Sequence, residues 1–298
     1  MKKKILSLIC CFALIFVCLL TVAGCEEAPA VSNIWDGSRV NVSKANKENI
    51  IKIETAEELA GFAKSVNEGN TYEGITILLT RDLNLNNLEW TPIGFGSSTG
   101  LGDLDTEDSH YFKGIFDGGN HTIKNLKITT FTGGGFSDPA AATGVGLFGH
   151  TYNATIKNLT VENANVVGNH FVAVVAGFSY GTAIENVHVK NANVNCVFLD
   201  TNDSGDKAAA IAGFIGNSKI NSAFVKGCSA MDSKIYADRD GGQLIGCFYL
   251  WEVDGTQPSC IEENNNAVDV TVEWNGTGAV QGSSSTNIAN AHIGRDER

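Results

Sequence analysis

Ile156-Lys-Asn-Leu-Thr-Val-Glu-Asn-Ala-Asn-Val166 and Ile184-Glu-Asn-Val-His-Val-Lys-Asn-Ala-Asn-Val194 stand 28 residues apart and share seven of their eleven positions. Each stretch alternates aliphatic and polar residues, the pattern of a strand with one buried face. Repetition at a fixed period is the signature of a stacked architecture. A single unit cannot bury its apolar face alone, but successive copies set Ile on Ile and Val on Val in one continuous core. Each aliphatic side chain buried in this way contributes roughly 1.5 to 3 kcal/mol.

The same unit is read at Ile123-Lys-Asn-Leu126, and more loosely at Val225-Lys-Gly-Cys228 and Ile261-Glu-Glu-Asn264. A glycine closing an apolar run keeps step with it at Gly149, Gly177, Gly213 and Gly246, with a further copy at Gly294. The alignment puts Asn125, Asn158 and Asn186 in one register, where they are expected to stack as a ladder at a turn, since Asn tolerates left-handed backbone. Gly227 takes that register in the looser copy. Cys228 falls with Leu126, Leu159 and Val187 and reads as a small core residue.

Outside the repeats, Thr55 and Glu58 form a capping box, Leu59, Phe62, Ala63 and Val66 recur at helical spacing, and Gly69 supplies a stop. This amphipathic helix is expected to cover the N-terminal end of the stack, where a solenoid exposes apolar side chains and strand edges. From residue 70 onward short β-branched runs are broken by Gly, Asn and Asp. The chain has 33 glycines and four prolines, which suits many brief strands joined by tight turns.

The N-terminus reads as an export signal: Lys2, Lys3 and Lys4, an apolar run from Ile5 to Val22, then Val22-Ala23-Gly24-Cys25. The run falls short of the roughly 20 residues that make a comfortable membrane span. Residues 1–24 are therefore expected to be a signal peptide, 25–33 a polar tether and 34–298 the repeat domain. Removal of the three lysines would leave 18 basic against 33 acidic residues, a net charge of −15. Nucleic acid is a poor partner for such a surface, which lacks clustered Lys and Arg. Of eight cysteines, Cys196, Cys228, Cys247 and Cys260 would remain besides Cys25. They are too few for a disulfide scaffold, and buried thiols are favoured over bridges.

The ending at Cys25 resembles the lipobox of bacterial lipoproteins, in which that cysteine is acylated and becomes the first mature residue. Phe116-Asp-Gly-Gly-Asn-His-Thr-Ile123, Gly146-Leu-Phe-Gly149 and Ile156-Lys-Asn-Leu159 resemble the GLUG-type repeats of bacterial surface proteins. Thr55-Ala-Glu-Glu-Leu-Ala60, Asp82-Leu-Asn-Leu85 and Trp90-Thr-Pro-Ile-Gly94 are similar to the N-terminal coils of that group. The resemblance spans about Trp35 to Asn265. It implies an all-β fold, a right-handed parallel β-helix with the N-terminal helix as its cap, displayed on a cell surface and often found in adhesin-like proteins.

Several catalytic motifs occur only as letters. Gly177-Phe-Ser-Tyr-Gly181 matches a nucleophile elbow, but Ser179 lies inside a repeat where a turn is expected, without the strand-turn-helix the motif requires. Gly144-Val-Gly-Leu-Phe-Gly149 matches a dinucleotide fingerprint with no βαβ unit around it. The six histidines are scattered and read as surface or turn residues. Asp200, Asn202, Ser204 and Asp206 have the spacing of calcium ligands around a glycine but lack the Glu at position twelve, and 102–108 is a second acidic loop. A solvated insertion is the favoured reading of both, and calcium is the one cofactor they suggest.

The function expected is a lipid-anchored surface protein that binds through β-helix faces and loops, without catalysis. Its partners would be the membrane, through the anchor, and an extracellular glycan or cell-surface protein. Tyr249, Trp251 and Trp274 are the candidate contacts, each against the alternative that it fills the core. The runner-up is a carbohydrate-active enzyme, which needs acids converging in a groove; Asp82, Asp117 and Asp232 are the strand-adjacent acids. A structural component of a surface assembly would show neither feature. With the lipid at Cys25, the later coils would point outward and offer the first place to seek a partner.

Overall fold

The structure, a computed structural model, describes residues 33–95, 110–129, 144–197, 207–218, 220–237, 240–249 and 260–274. The 28-residue repeat is realised as a parallel strand pair. Thr155–Glu162 lies beside Ala183–Lys190 with Ile156 opposite Ile184, Leu159 opposite Val187 and Val161 opposite Val189. Between them the chain runs through Asn165–Gly168, Phe171–Ala173 and Ala176–Tyr180, each of which pairs in parallel with its counterpart one turn along. Among the described residues this gives one 13-stranded sheet and two four-stranded sheets, with every strand-to-strand pairing parallel. Among the described residues the architecture is all-β and β-helix-like, with a single helix. No helix of the described residues is long and apolar enough to cross a membrane.

The inward positions form one core from Trp35 to Val270 in which Ile156, Ile184, Val187, Val189 and Val225 are fully buried. A smaller cluster of Phe171, Phe178, Tyr180, Phe214 and Cys247, with Tyr152 at its side, packs apart from that core. The repeated glycines explain the closeness of the coils. A Cβ on Gly177 would lie 2.2 Å from the Val145 nitrogen, and one on Gly149 would lie 2.3 Å from the Gly94 oxygen. No side chain fits there.

Each coil turns at two left-handed corners, and this corrects one expected register. Asn158 and Asn186 stack at the first corner with φ of 53° and 52°, and Gly227 and Asn264 continue it at 63° and 56°. Asn125 belongs to the second corner. Ile123 pairs with Val161, not Ile156, and the Asn125 amide N–H donates to the Glu162 carbonyl at 2.9 Å. Asn163, Asn191, Asp232 and Asp269 follow it with φ between 49° and 57°. Ile-Lys-Asn-Leu at 123–126 repeats the letters of 156–159 because both corners need the same thing, a residue tolerant of positive φ flanked by aliphatics. The first corner of the earlier coil is filled by Gly118, Gly119 and Asn120, an irregularity between Asp117 and His121. The last unit also shifts by one residue: Val225 lies opposite Glu262, so Ile261 faces Phe224.

Helix α1 spans Ala56–Asn67. The Glu58 N–H donates to Thr55 Oγ1 and the Thr55 N–H to Glu58 Oε2, both at 3.2 Å, which completes the expected box. Leu59, Phe62, Ala63 and Val66 are buried. The Phe62 ring meets Phe112 edge-on at 5.5 Å and stacks over Phe116 at 6.2 Å, which closes the interior beside the edge strand Ile50–Ile53. Cys196, Cys228 and Cys247 are buried. Cys228 sits opposite Val187 as expected, though Leu126 has moved to the other corner, and burial pushes its thiol up to about 12.

Candidate functional site

The outward face of the long sheet carries its chemistry in columns, because corresponding residues of successive coils stack about 4.8 Å apart. One column runs Asp117, Lys157, Glu185, Lys226, Glu263 and changes sign at every coil. Lys157 lies 3.5 Å from Asp117, and Lys226 lies 3.4 Å from Glu263. A second column begins with Lys124 and Glu162, also 3.5 Å apart, and continues with Lys190. Between these columns stand Thr122, Thr160, His188, Ser229 and Asn266.

The side chains of this face form a hydrogen-bond chain of one direction. The Ser229 hydroxyl donates to His188 Nδ1 at 2.8 Å and His188 Nε2–H to Asn186 Oδ1 at 3.1 Å, the tautomer that satisfies both. The Asn186 amide then donates to Asn158 Oδ1, and the Asn158 amide to Asp117 Oδ1, each at 3.0 Å. Each member polarises the next toward the carboxylate, which strengthens the series. Burial, with Lys190 alongside, lowers the His188 pKa and keeps the ring neutral at pH 7. The result is a flat, ordered surface with donors, acceptors and both charges in register.

The three acids named from sequence are spent on turns. Asp82 accepts from the Thr122 N–H at 3.0 Å and meets the His121 ring at 3.3 Å. Asp117 accepts from the Gly119 N–H and anchors the asparagine chain. Asp232 occupies a left-handed corner. Tyr249 ends a strand opposite Gly216 and Trp274 ends another opposite Ala237. Their neighbour Phe248 is a core residue. Trp251, the acidic loops with Asp200, Asn202, Ser204 and Asp206 and with 102–108, and the export segment with Cys25 lie outside the described residues. Among the described residues no three His, Cys, Asp or Glu side chains are grouped as metal ligands.

Ser179 is fully buried and accepts a 2.8 Å hydrogen bond from the Thr151 hydroxyl, a core pair one coil apart. The strands Gly144–Val145 and Phe148–Tyr152 lead into another strand and not a helix. Two histidines depart from the expected surface position: His150 and His170 are buried. His150 occupies the register of Phe178 and Phe214, its Nε2 accepts from the Gly144 N–H at 3.1 Å, and burial pushes the imidazole down to about 3. A neutral imidazole stands there in place of a phenyl ring.

Sequence reasoning missed the concave part of the molecule. A cleft of about 650 Å³ opens along α1, with Asn41, Lys44, Lys64, Glu68, Tyr72 and Glu73 in its walls. A smaller one of about 200 Å³ lies against the same helix, lined by Trp35, Arg39 and Trp90 and sharing Lys64 and Glu68 with the first. Neither follows from a motif. The charge columns did leave a signal, in the residue after each aligned aliphatic: Lys157, Glu185 and Lys226.

No family model matches the chain. It is 30% identical over 129 residues, 43% of its length, to halomucin of Haloquadratum walsbyi, of which this covers 1%. Among solved structures it is similar to one from Bacteroides ovatus described as a "putative immunoglobulin A1 protease", with a TM-score of 0.51 and 15% identity. That likeness covers 79% of this chain and 65% of the other, and at such identity it speaks for the fold alone.

Proposed function

We propose that this chain is an exported lipoprotein, acylated on Cys25 once residues 1–24 are removed, whose repeats of GLUG type form a surface-displayed binding or adhesion module. Its coils are right-handed, because a strand, crossover and parallel strand take that hand in about 98% of cases. The observation that carries the binding role is the outward face of the long sheet, where columns from Asp117 to Glu263 and from Thr122 to Asn266 present a flat polar array. A glycan or a cell-surface protein would be held there by many weak contacts in register. The match to a stretch of halomucin supports a surface setting. The test is display of the full chain in a bacterium, with Cys25→Ala and with Lys157→Glu plus Lys226→Glu. Labelling by a clickable fatty acid should vanish in the first variant. Attachment to glycan-coated and protein-coated surfaces should vanish in the second, and attachment that survives it would remove the face from the argument.

A second reading, a carbohydrate-active enzyme, is favoured by one observation: Glu68 and Glu73 line the same cleft. Paired carboxylates are what glycoside cleavage requires. Release of reducing ends from a neutral polysaccharide, lost in Glu73→Gln, would carry this reading, and no release would end it.

A further inference from the structure

The larger cleft along α1 differs chemically from the repeat face. Two cations, Lys44 and Lys64, and two carboxylates, Glu68 and Glu73, line it, so its formal charge is zero in a protein of net charge −12. Lys64 and Glu68 are paired at 2.7 Å and partly exposed, which fixes them as neighbours on one ridge of the helix. The Asn70 side chain is oriented by donating to Ser65 Oγ at 3.0 Å.

Tyr72 sets the wall. Its φ is 57°, left-handed backbone that a bulky residue avoids and that persists only where the surroundings enforce it. The enforcement is visible: the Tyr72 hydroxyl donates to Ser65 Oγ at 2.7 Å, and its ring packs edge-on against Phe62 at 5.1 Å. Glycine or asparagine would take this turn with less strain, so the aromatic ring is held at the cleft against a conformational cost.

We infer that this cleft binds a neutral oligosaccharide. Sugar hydroxyls donate to Glu68, Glu73 and Asn70 Oδ1 and accept from Lys44 and Lys64, while an apolar sugar face suits the exposed part of Tyr72. A polyanion would find no net positive charge to hold it, and an apolar ligand would leave all four charges without solvent. The volume lies within the range of about 300 to 1,000 Å³ typical of small-ligand clefts. The smaller cleft adjoins the larger along α1 and adds Arg39. It shares Lys64 and Glu68, and its indoles have their N–H groups engaged, Trp35 with the Ser38 carbonyl at 2.7 Å and Trp90 with the Leu147 carbonyl at 3.3 Å. Both indoles are buried, 4% and 2% exposed, and pack edge-on at 5.6 Å, so they make a rigid floor under the helix and not a stacking platform.

The inference names the ligand class of the cleft invoked in the second reading above but requires no turnover, and it is independent of the repeat face. The test is isothermal titration calorimetry on the full chain in detergent with maltohexaose, cellohexaose and chitohexaose, and with a heparin hexasaccharide as the polyanion. At least one neutral sugar should bind saturably. Tyr72→Gly, which removes the ring and relieves the backbone, should weaken it about tenfold or more, and Glu73→Ala should weaken it measurably. Ile220→Ser, at an exposed residue that belongs to neither the clefts nor the repeat face, should leave it unchanged, and circular dichroism should show all variants folded. The inference is overturned if no neutral sugar binds at about 10 mM, if heparin binds more tightly than every neutral sugar, or if folded cleft variants bind as the parent does.

Discussion

His150 should make the coil stack acid-labile, and the size of the effect follows from its burial. The imidazole is fully buried, its Nε2 accepts from the Gly144 N–H, and its pKa is pushed down from 6.5 to about 3. In the unfolded chain the ring titrates near 6.5. The folded value is depressed, so the contribution to stability is complete above the unfolded pKa and is lost as pH falls from there toward 3. Between pH 7.5 and 4.5 the unfolded state takes up nearly a full proton that the folded state refuses. The linkage integral over that window is about 3 kcal/mol and changes little if the folded pKa lies a unit higher. For a domain of this size that corresponds to a drop in Tm of about 6 to 12 °C. His150→Gln keeps a neutral acceptor for the Gly144 N–H at every pH and removes the titration. Urea midpoints and thermal melts of both proteins across the window isolate the residue, because every other titrating group is shared. The variant should lose about 3 kcal/mol less than the parent on acidification. Parallel loss in the two proteins, or an imidazole resonance of His150 titrating near pH 6.5, would sink the reasoning.

Glu262 gives the opposite sign. Burial raises its pKa in the folded state, so its neutral form fits the fold and its contribution is lost as pH rises through the folded value. Glu262→Gln should therefore raise the urea midpoint at pH 8 and leave it unchanged at pH 4. At Asn186, φ of 52° and the ladder bonds from Asn186 to Asn158 and from His188 to Asn186 are separable. Asn186→Gly should cost about 1 kcal/mol for the bonds, and Asn186→Ala about 1 to 2 kcal/mol more for the backbone, both read by chemical denaturation. Gly177→Ala would place a methyl 2.2 Å from the Val145 nitrogen and should cost at least about 3 kcal/mol. Loss of the near-ultraviolet circular dichroism of the neighbouring Phe178 and Tyr180 would report it. A folded variant with parental stability would show that the coils are less closely packed there.

What was legible in the sequence was whatever the stack enforces at every coil. Ile156 over Ile184, Val161 over Val189 and Gly149 over Gly177 could be read because each position has the same surroundings one turn later, so the same residue type recurs. The helix was legible for a local reason: the Thr55–Glu58 box and the apolar stripe lie within one segment. The register of Asn125 was misread because a residue at positive φ between aliphatics is the requirement at two different corners, and four letters do not say which corner they belong to. Only the pairing of Ile123 with Val161 decides it. The same holds for Ile261, displaced by one so that Glu262 enters an aliphatic column.

The candidate sites separate along the same line. The charge column could have been read from the residues after each repeat aliphatic, since it too recurs with the coil: Lys157, Glu185, Lys226. A column that alternates sign also resists mispairing, because skipping one coil would bring Lys157 beside Lys226 and place like charges side by side. Part of this face is therefore there to fix register, and a ligand must compete with ion pairs already made between coils. The clefts along α1 carry no such repeat. Lys44, Lys64 and Tyr72 belong to no motif, and they come together because a capping helix lies across the first coils. The end of a solenoid is where its period stops constraining the residue types. It is the part of this chain whose chemistry a sequence pattern reports least, and the part where Tyr72 is held at positive φ by its bond to Ser65 and its packing on Phe62.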